Sequence, residues 1–129
     1  ADLDQALDFC AENPVAKLHL VLKLSKLGRD RNAVSRLADL ALSEAEPEPI
    51  RNAAVHYVVR TGTPEECRRV LPAIRKLLDD PYYWGSVVVT LAQASNPETK
   101  ALLREGLSEI TLAEEVRDAV ERALEQNPR

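Results

Sequence analysis

Ile50-Arg51-Asn52-Ala53-Ala54 is answered 66 residues later by Val116-Arg117-Asp118-Ala119-Val120, and midway stands Tyr83-Trp84-Gly85-Ser86-Val87. Outward from these stretches the same spacing of 33 holds. Leu20, Ala53, Ser86 and Ala119 form one column, Val21, Ala54, Val87 and Val120 a second, and Leu24, Tyr57, Thr90 and Ala123 a third. Upstream, Leu37, Val70 and Leu103 align, as do Ala41, Ile74 and Leu107. A fixed period of this size marks a chain assembled from stacked copies of one supersecondary unit. Leu3 and Leu7 precede Leu37 and Ala41 by 34, a slip expected of a terminal unit with one face in water.

Each unit reads as two helices. Asn13-Pro14, Thr63-Pro64, Asp80-Pro81 and Asn96-Pro97 place a capping side chain before a proline. The cap oxygen accepts an orphan N–H, and proline at the first helical position has no N–H to waste. Asp30 and Thr111 are candidate caps for two more helices, and Gly28 and Gly62 follow apolar runs where a left-handed terminator is wanted. Eight helices are expected, near 3–12, 14–27, 31–45, 49–61, 64–79, 81–95, 97–109 and 112–126. Apolar residues recur in them at steps of three and four, and no credible strand is present. The short connections make neighbours antiparallel, giving four hairpins near 1–28, 29–62, 63–95 and 96–127 in a single domain.

The repeat resembles the HEAT-like kind. Second helices of that family commonly read apolar-Arg, one further residue, then small apolar residues, as at Ile50-Arg51-Asn52-Ala53-Ala54 and Val116-Arg117-Asp118-Ala119-Val120. The first helix often carries an internal proline, as in Val70-Leu71-Pro72-Ala73-Ile74. The first hairpin lacks the arginine, and Trp84 replaces it in the third. The resemblance implies an all-α right-handed α-solenoid of four stacked hairpins, second helices on the concave side, and a protein-binding role.

The 129 residues are 45% apolar and 29% charged, a globular balance, with a net charge of −4 from 17 basic and 21 acidic side chains. A mildly acidic chain has no global attraction for nucleic acid or an anionic membrane. No apolar run approaches the roughly 20 residues of a membrane span, and no charged-then-apolar leader opens the chain. A cytoplasmic protein, or a recombinant one without a native compartment, is expected. Cys10 and Cys67 lie in different units and read as two free, buried thiols.

Catalytic chemistry is not expected. His19 and His56 belong to different units, and neither His-Glu-x-x-His nor Cys-x-x-Cys occurs, so no metal site is expected. There is no Gly-x-Ser-x-Gly elbow and no glycine-rich phosphate loop, so no nucleophile or cofactor is assigned. The acid pairs Asp79-Asp80 and Glu114-Glu115 suit helix starts. Pro72 denies the Arg68 carbonyl its donor and reads as a kink.

Two surfaces stand out. In Tyr82-Tyr83-Trp84, successive helix residues point about 100° apart, so three in a row cannot share one core. With Tyr83 in the column of Ile50 and Val116, either Tyr82 or Trp84 is exposed as a partner anchor, or Trp84 stacks between Arg51 and Arg117. The second surface is a stripe along the second helices. It runs from His19, Lys23 and Lys26 through Asn52, His56 and Val59, then Gly85, Val89 and Ala92, to Asp118, Arg122 and Glu125. Val55, Val59, Val88 and Val89 form an apolar centre able to hold a partner helix, or else pack between hairpins. Lys17, Lys23, Lys26, Arg29, Arg31 and Arg36 make a local basic run opposed in sequence only by Asp30. A designed or engineered non-catalytic scaffold without an evolved ligand is expected from the uniform proline caps, tight connections and absence of methionine. The alternative is a natural protein–protein interaction module that holds a peptide or helix through His56, Val59, Tyr82, Trp84 and Val89.

Overall fold

The structure is a computed structural model that describes residues 2–24, 31–94, 96–108 and 110–125. Asp30, Gly28, Lys26 and Arg29 lie outside the described residues. Among those described, the chain is all α-helical, without a strand: α1 (Asp2–Phe9), α2 (Pro14–Leu24), α3 (Arg31–Leu42), α4 (Glu48–Thr61), α5 (Pro64–Arg69), α6 (Leu71–Leu78), α7 (Trp84–Ala92), α8 (Pro97–Leu107) and α9 (Glu114–Glu125), with a 3₁₀ turn at Pro81–Tyr83 before α7.

The four proline caps form as read. Asn13 Oδ1 accepts from Ala16 N at 3.1 Å, and Asn96 Oδ1 accepts from Thr99 N at 2.8 Å. Asp80 Oδ1 accepts from Tyr82 N at 3.0 Å. Thr63 makes a full capping box, its hydroxyl accepting from Glu66 N while the Glu66 carboxylate accepts from Thr63 N at 2.7 Å.

Four expectations are corrected. The helix expected over 64–79 divides at Val70, because Pro72 has no N–H to continue the first ladder and becomes an early residue of α6 instead. That division makes nine helices where eight were expected. The helix expected from 81 begins as a 3₁₀ turn, fixed by the Asp80 cap. Thr111 does not cap α9, which starts at Glu114 with Arg117 N donating to the Ala113 carbonyl at 2.9 Å. Gly62 is extended (φ −83°, ψ 165°) rather than left-handed. It must be glycine for another reason: a Cβ there would lie 2.5 Å from the Val58 carbonyl oxygen, which its own N–H approaches at 2.7 Å.

The helices pack in two rows. α2, α4, α7 and α9 touch in succession; opposite them run α3, then α5 with α6, then α8; α4 also packs on α3 and α6, and α9 on α8. One apolar core threads both rows from Val21 to Leu124, with Leu37, Ile50, Tyr57, Ile74, Leu91 and Leu103 fully enclosed. Cys10 and Cys67 are both buried and are not joined in a disulfide.

Polar contacts join neighbouring helices at nearly the sequence period. Asn52 Nδ2 donates to Ser86 Oγ at 3.0 Å, and the His56 ring meets Thr90 Oγ1 at 3.0 Å. Arg69 donates to the Ser35 carbonyl and pairs with Asp39. Arg75 Nη2 donates to the Gly106 carbonyl at 2.7 Å. The partners of Asn52, His56 and Ser35 stand 34 residues away, one beyond the aligned column, so a side chain reaches the neighbour of its own counterpart.

Candidate functional site

Along the outer face of the α2–α4–α7 row a groove of about 330 Å³ opens beneath Tyr82. α2 supplies Leu18 and Leu22, α4 supplies Asn52 and His56, and the 3₁₀ turn and the start of α7 supply Tyr82, Tyr83 and Ser86. The turn exists because Asp80 caps Tyr82 and Pro81 fixes the entry dihedral, and it throws Tyr82 clear of the helix row. Tyr82 is 76% exposed and lies stacked on Tyr83, with centroids 4.9 Å apart and an interplanar angle of 22°. Leu22 adds an exposed apolar wall from α2.

The floor is polar and ordered. Thr90 Oγ1 donates to the Ser86 carbonyl at 2.9 Å, which uses its single proton. The His56 Nδ1 therefore carries the hydrogen and donates to Thr90 Oγ1. Burial, and secondly the charge of Arg60, lower the His56 pKa below its ordinary value. The imidazole is thus neutral near pH 7, and its Nε2 is a hydrogen-bond acceptor. Burial, followed by the Glu48 carboxylate and neighbouring groups, raises the Tyr83 phenol above its ordinary value, so that hydroxyl keeps its proton. The groove thus presents apolar and aromatic walls, a hydroxyl donor and an acceptor. Among the described residues no group of three or more His, Cys, Asp or Glu is placed to hold a metal ion, and no helix is long and apolar enough to cross a membrane.

Of the five residues singled out by sequence, His56 and Tyr82 meet in this groove and three do not. Val59 is corrected from surface to core: it is 0% exposed, as α4 is covered by α2, α3, α6 and α7 on most sides. Val55 is buried with it and Val88 is half-buried, so the expected apolar centre is mostly inter-helix packing. Val89 is 54% exposed but stands outside the groove. Trp84 is half-buried against the core, and its indole Nε1 donates to the Leu78 carbonyl at 2.8 Å. That bond satisfies an orphan carbonyl at the end of α6. Among the described residues no cation–π contact joins it to Arg51 or Arg117, so the expected sandwich is absent. Tyr83, expected in the core column of Ile50 and Val116, is only half-buried because the 3₁₀ turn rotates it outward.

The basic run is partly consumed. Lys17 is buried and pairs with Glu46 at 2.7 Å, and Arg36 lies 3.9 Å from Asp39. Leu18 and Leu22 were missed as groove residues; their signal was a second apolar face on α2 beyond the column of Leu20, Val21 and Leu24. Compared with protein-family models, curated proteins and solved structures, the chain matches none.

Proposed function

We propose that this chain is a HEAT-like α-solenoid of four stacked hairpins, near 1–28, 29–62, 63–95 and 96–127, that works without catalysis as a protein-interaction module. It holds a peptide segment along the row of second helices. The observation that carries the reading is the groove beneath Tyr82, where apolar walls from Leu18, Leu22 and Tyr82 flank the His56 acceptor. A small apolar cleft with a few fixed polar groups selects an apolar side chain beside a hydrogen-bond donor. The i to i+34 contacts between units support the stacked architecture.

The test is selection from a displayed peptide library, with the Leu22→Lys and Tyr82→Glu variants as counter-targets. Both side chains are exposed, so neither change threatens the core. Enriched peptides carrying an apolar anchor, whose binding is lost in both variants, are the expected result. Enrichment that ignores both substitutions, or none at all, overturns the reading. The second reading, a designed scaffold without an evolved ligand, is favoured by the uniform proline caps at Asn13, Thr63, Asp80 and Asn96.

A further inference from the structure

Internal contacts define which positions of one unit meet the next. Ser35 and Asp39 on α3 receive Arg69. Leu71 on α6 lies over Gly106 of α8, where a Cβ would sit 2.5 Å from its Cδ1, and Arg75 donates to the Gly106 carbonyl. Adding the 33-residue period (twice for the first pair) carries 35, 39, 71 and 75 to Ala101, Glu105, Arg104 and Ser108. All four line a groove of about 490 Å³ between α8 and α9, floored by residues such as Leu107 and Leu124. This groove is the seat a further unit would occupy.

The opposite end carries the positions that would arrive at this seat. Ser86 and Thr90 are the arriving partners of Asn52 and His56, and Lys76 is that of Glu44. Two periods back from Ser86 and Thr90 stand Leu20 and Leu24; one period plus the 34-residue slip back from Lys76 stands Phe9. Leu20 and Leu24 are half-buried, and Phe9 is 94% exposed. The arriving face of the first unit is therefore apolar, and Phe9 stands clear of the other described residues.

We infer that the α8–α9 groove is a docking site for the α1–α2 end of a second copy of this chain, so that copies stack head to tail and continue the internal interface. The contact is heterologous, so it propagates rather than closes. It is weaker than an internal joint, because Arg104, paired with Glu125, stands where the preceding unit has Leu71, and because Leu20 and Leu24 fall opposite Asp118 and Arg122, the counterparts of Asn52 and His56. Reversible association follows, with Phe9 as the anchor that enters the groove.

Sedimentation velocity over a concentration series tests this with two blocked variants. Phe9→Glu disables the arriving end; Ala101→Glu with Arg117→Glu disables the groove. All three residues are exposed, and circular dichroism confirms that helix content is kept. The wild type should grow in mass with concentration, and each variant should associate more weakly by on the order of tenfold or more. An equimolar mixture of the two variants should form a 1:1 complex and nothing larger, because one intact end of each remains. A wild type that stays monomeric, variants that still self-associate, or a mixture that does not pair overturns the inference. It rests on the stacked architecture proposed above. Coupling between Leu71 and Gly106 within the monomer reads that architecture separately, so a chain that shows this coupling yet never associates overturns the docking alone.

Discussion

Replacing Gly106 by alanine sets two opposed effects against each other. In a helix interior, alanine is favoured over glycine by about 1 kcal/mol, because glycine surrenders more backbone freedom, and Gly106, next to last in α8, keeps only part of that difference. Here, however, the new Cβ would lie 2.5 Å from Leu71 Cδ1 and 3.1 Å from Cδ2, against an ordinary carbon contact of about 3.5–4.0 Å. Leu71 is buried, so it must turn or α8 must retreat by roughly 1 Å, and overpacking of that kind costs about 1–3 kcal/mol. The net effect of Gly106→Ala is therefore between no change and a loss of about 3 kcal/mol. In a Leu71→Ala background the obstruction is gone, and the same substitution should be neutral or stabilise by up to about 1 kcal/mol. Urea unfolding followed by far-UV circular dichroism measures both. A coupling energy of about 1–3 kcal/mol is the expected outcome. If Gly106→Ala has the same effect in both backgrounds, within about 0.5 kcal/mol, α6 and α8 do not approach as described and the stacking is wrong.

Three further outcomes are expected. The lowered His56 pKa means that the unfolded chain binds that proton more tightly, so stability is flat above about pH 6.5 and falls as pH drops below it; urea midpoints across pH should show the slope, and His56→Gln should flatten it. Lys17→Met leaves the enclosed Glu46 carboxylate without its ammonium and should cost about 1–3 kcal/mol, most of it regained in Lys17→Met/Glu46→Leu, as equilibrium unfolding of the three variants would reveal. Leu103→Ala, at a fully enclosed site, should cost about 2–5 kcal/mol, whereas Phe9→Ala should change monomer stability by less than about 0.5 kcal/mol in the same thermal melts.

The helical class and the starts marked by Asn13, Thr63, Asp80 and Asn96 were legible, because capping is local and each acts on a backbone donor within three residues, whereas the start at Pro72, which has no side-chain cap, was not. The columns likewise identified core residues such as Ile50, Val87 and Leu103. Effects set by distant partners were not legible. Lys17 looked like part of an unopposed basic run because its partner Glu46 is 29 residues away. Val59 shared a helical stripe with His56, yet neighbours on most sides of α4 cover it, and Val55, Val58 and Val59 in one short stretch already spell a helix apolar nearly all round. Trp84 was weighed for its ring, whereas its indole N–H found an orphan carbonyl at the end of α6. The groove was half legible: His56 and Tyr82 were read, but Leu18 and Leu22 belong to it only because the 3₁₀ turn carries Tyr82 toward α2.

The division of labour between apolar and polar contacts links the fold to its surfaces. Burial of Val21, Ile50, Leu91 and Leu103 supplies most of the drive to fold, and although the attraction itself is non-directional, close packing makes it specific in shape. The polar contacts add specificity in partner. Asn52 to Ser86, His56 to Thr90, and Arg69 to Ser35 each demand a particular neighbour, and all three set the same 34-residue offset. A slip of one residue would break all three at once, and it would also turn each apolar column by about 100° out of its buried seat. The polar side chains thus reinforce a register that close apolar packing also sets, and two of them, Asn52 and His56, floor the groove. A substitution there should disturb peptide capture and repeat register together, whereas one at Leu22 or Tyr82, on the walls, should disturb capture alone.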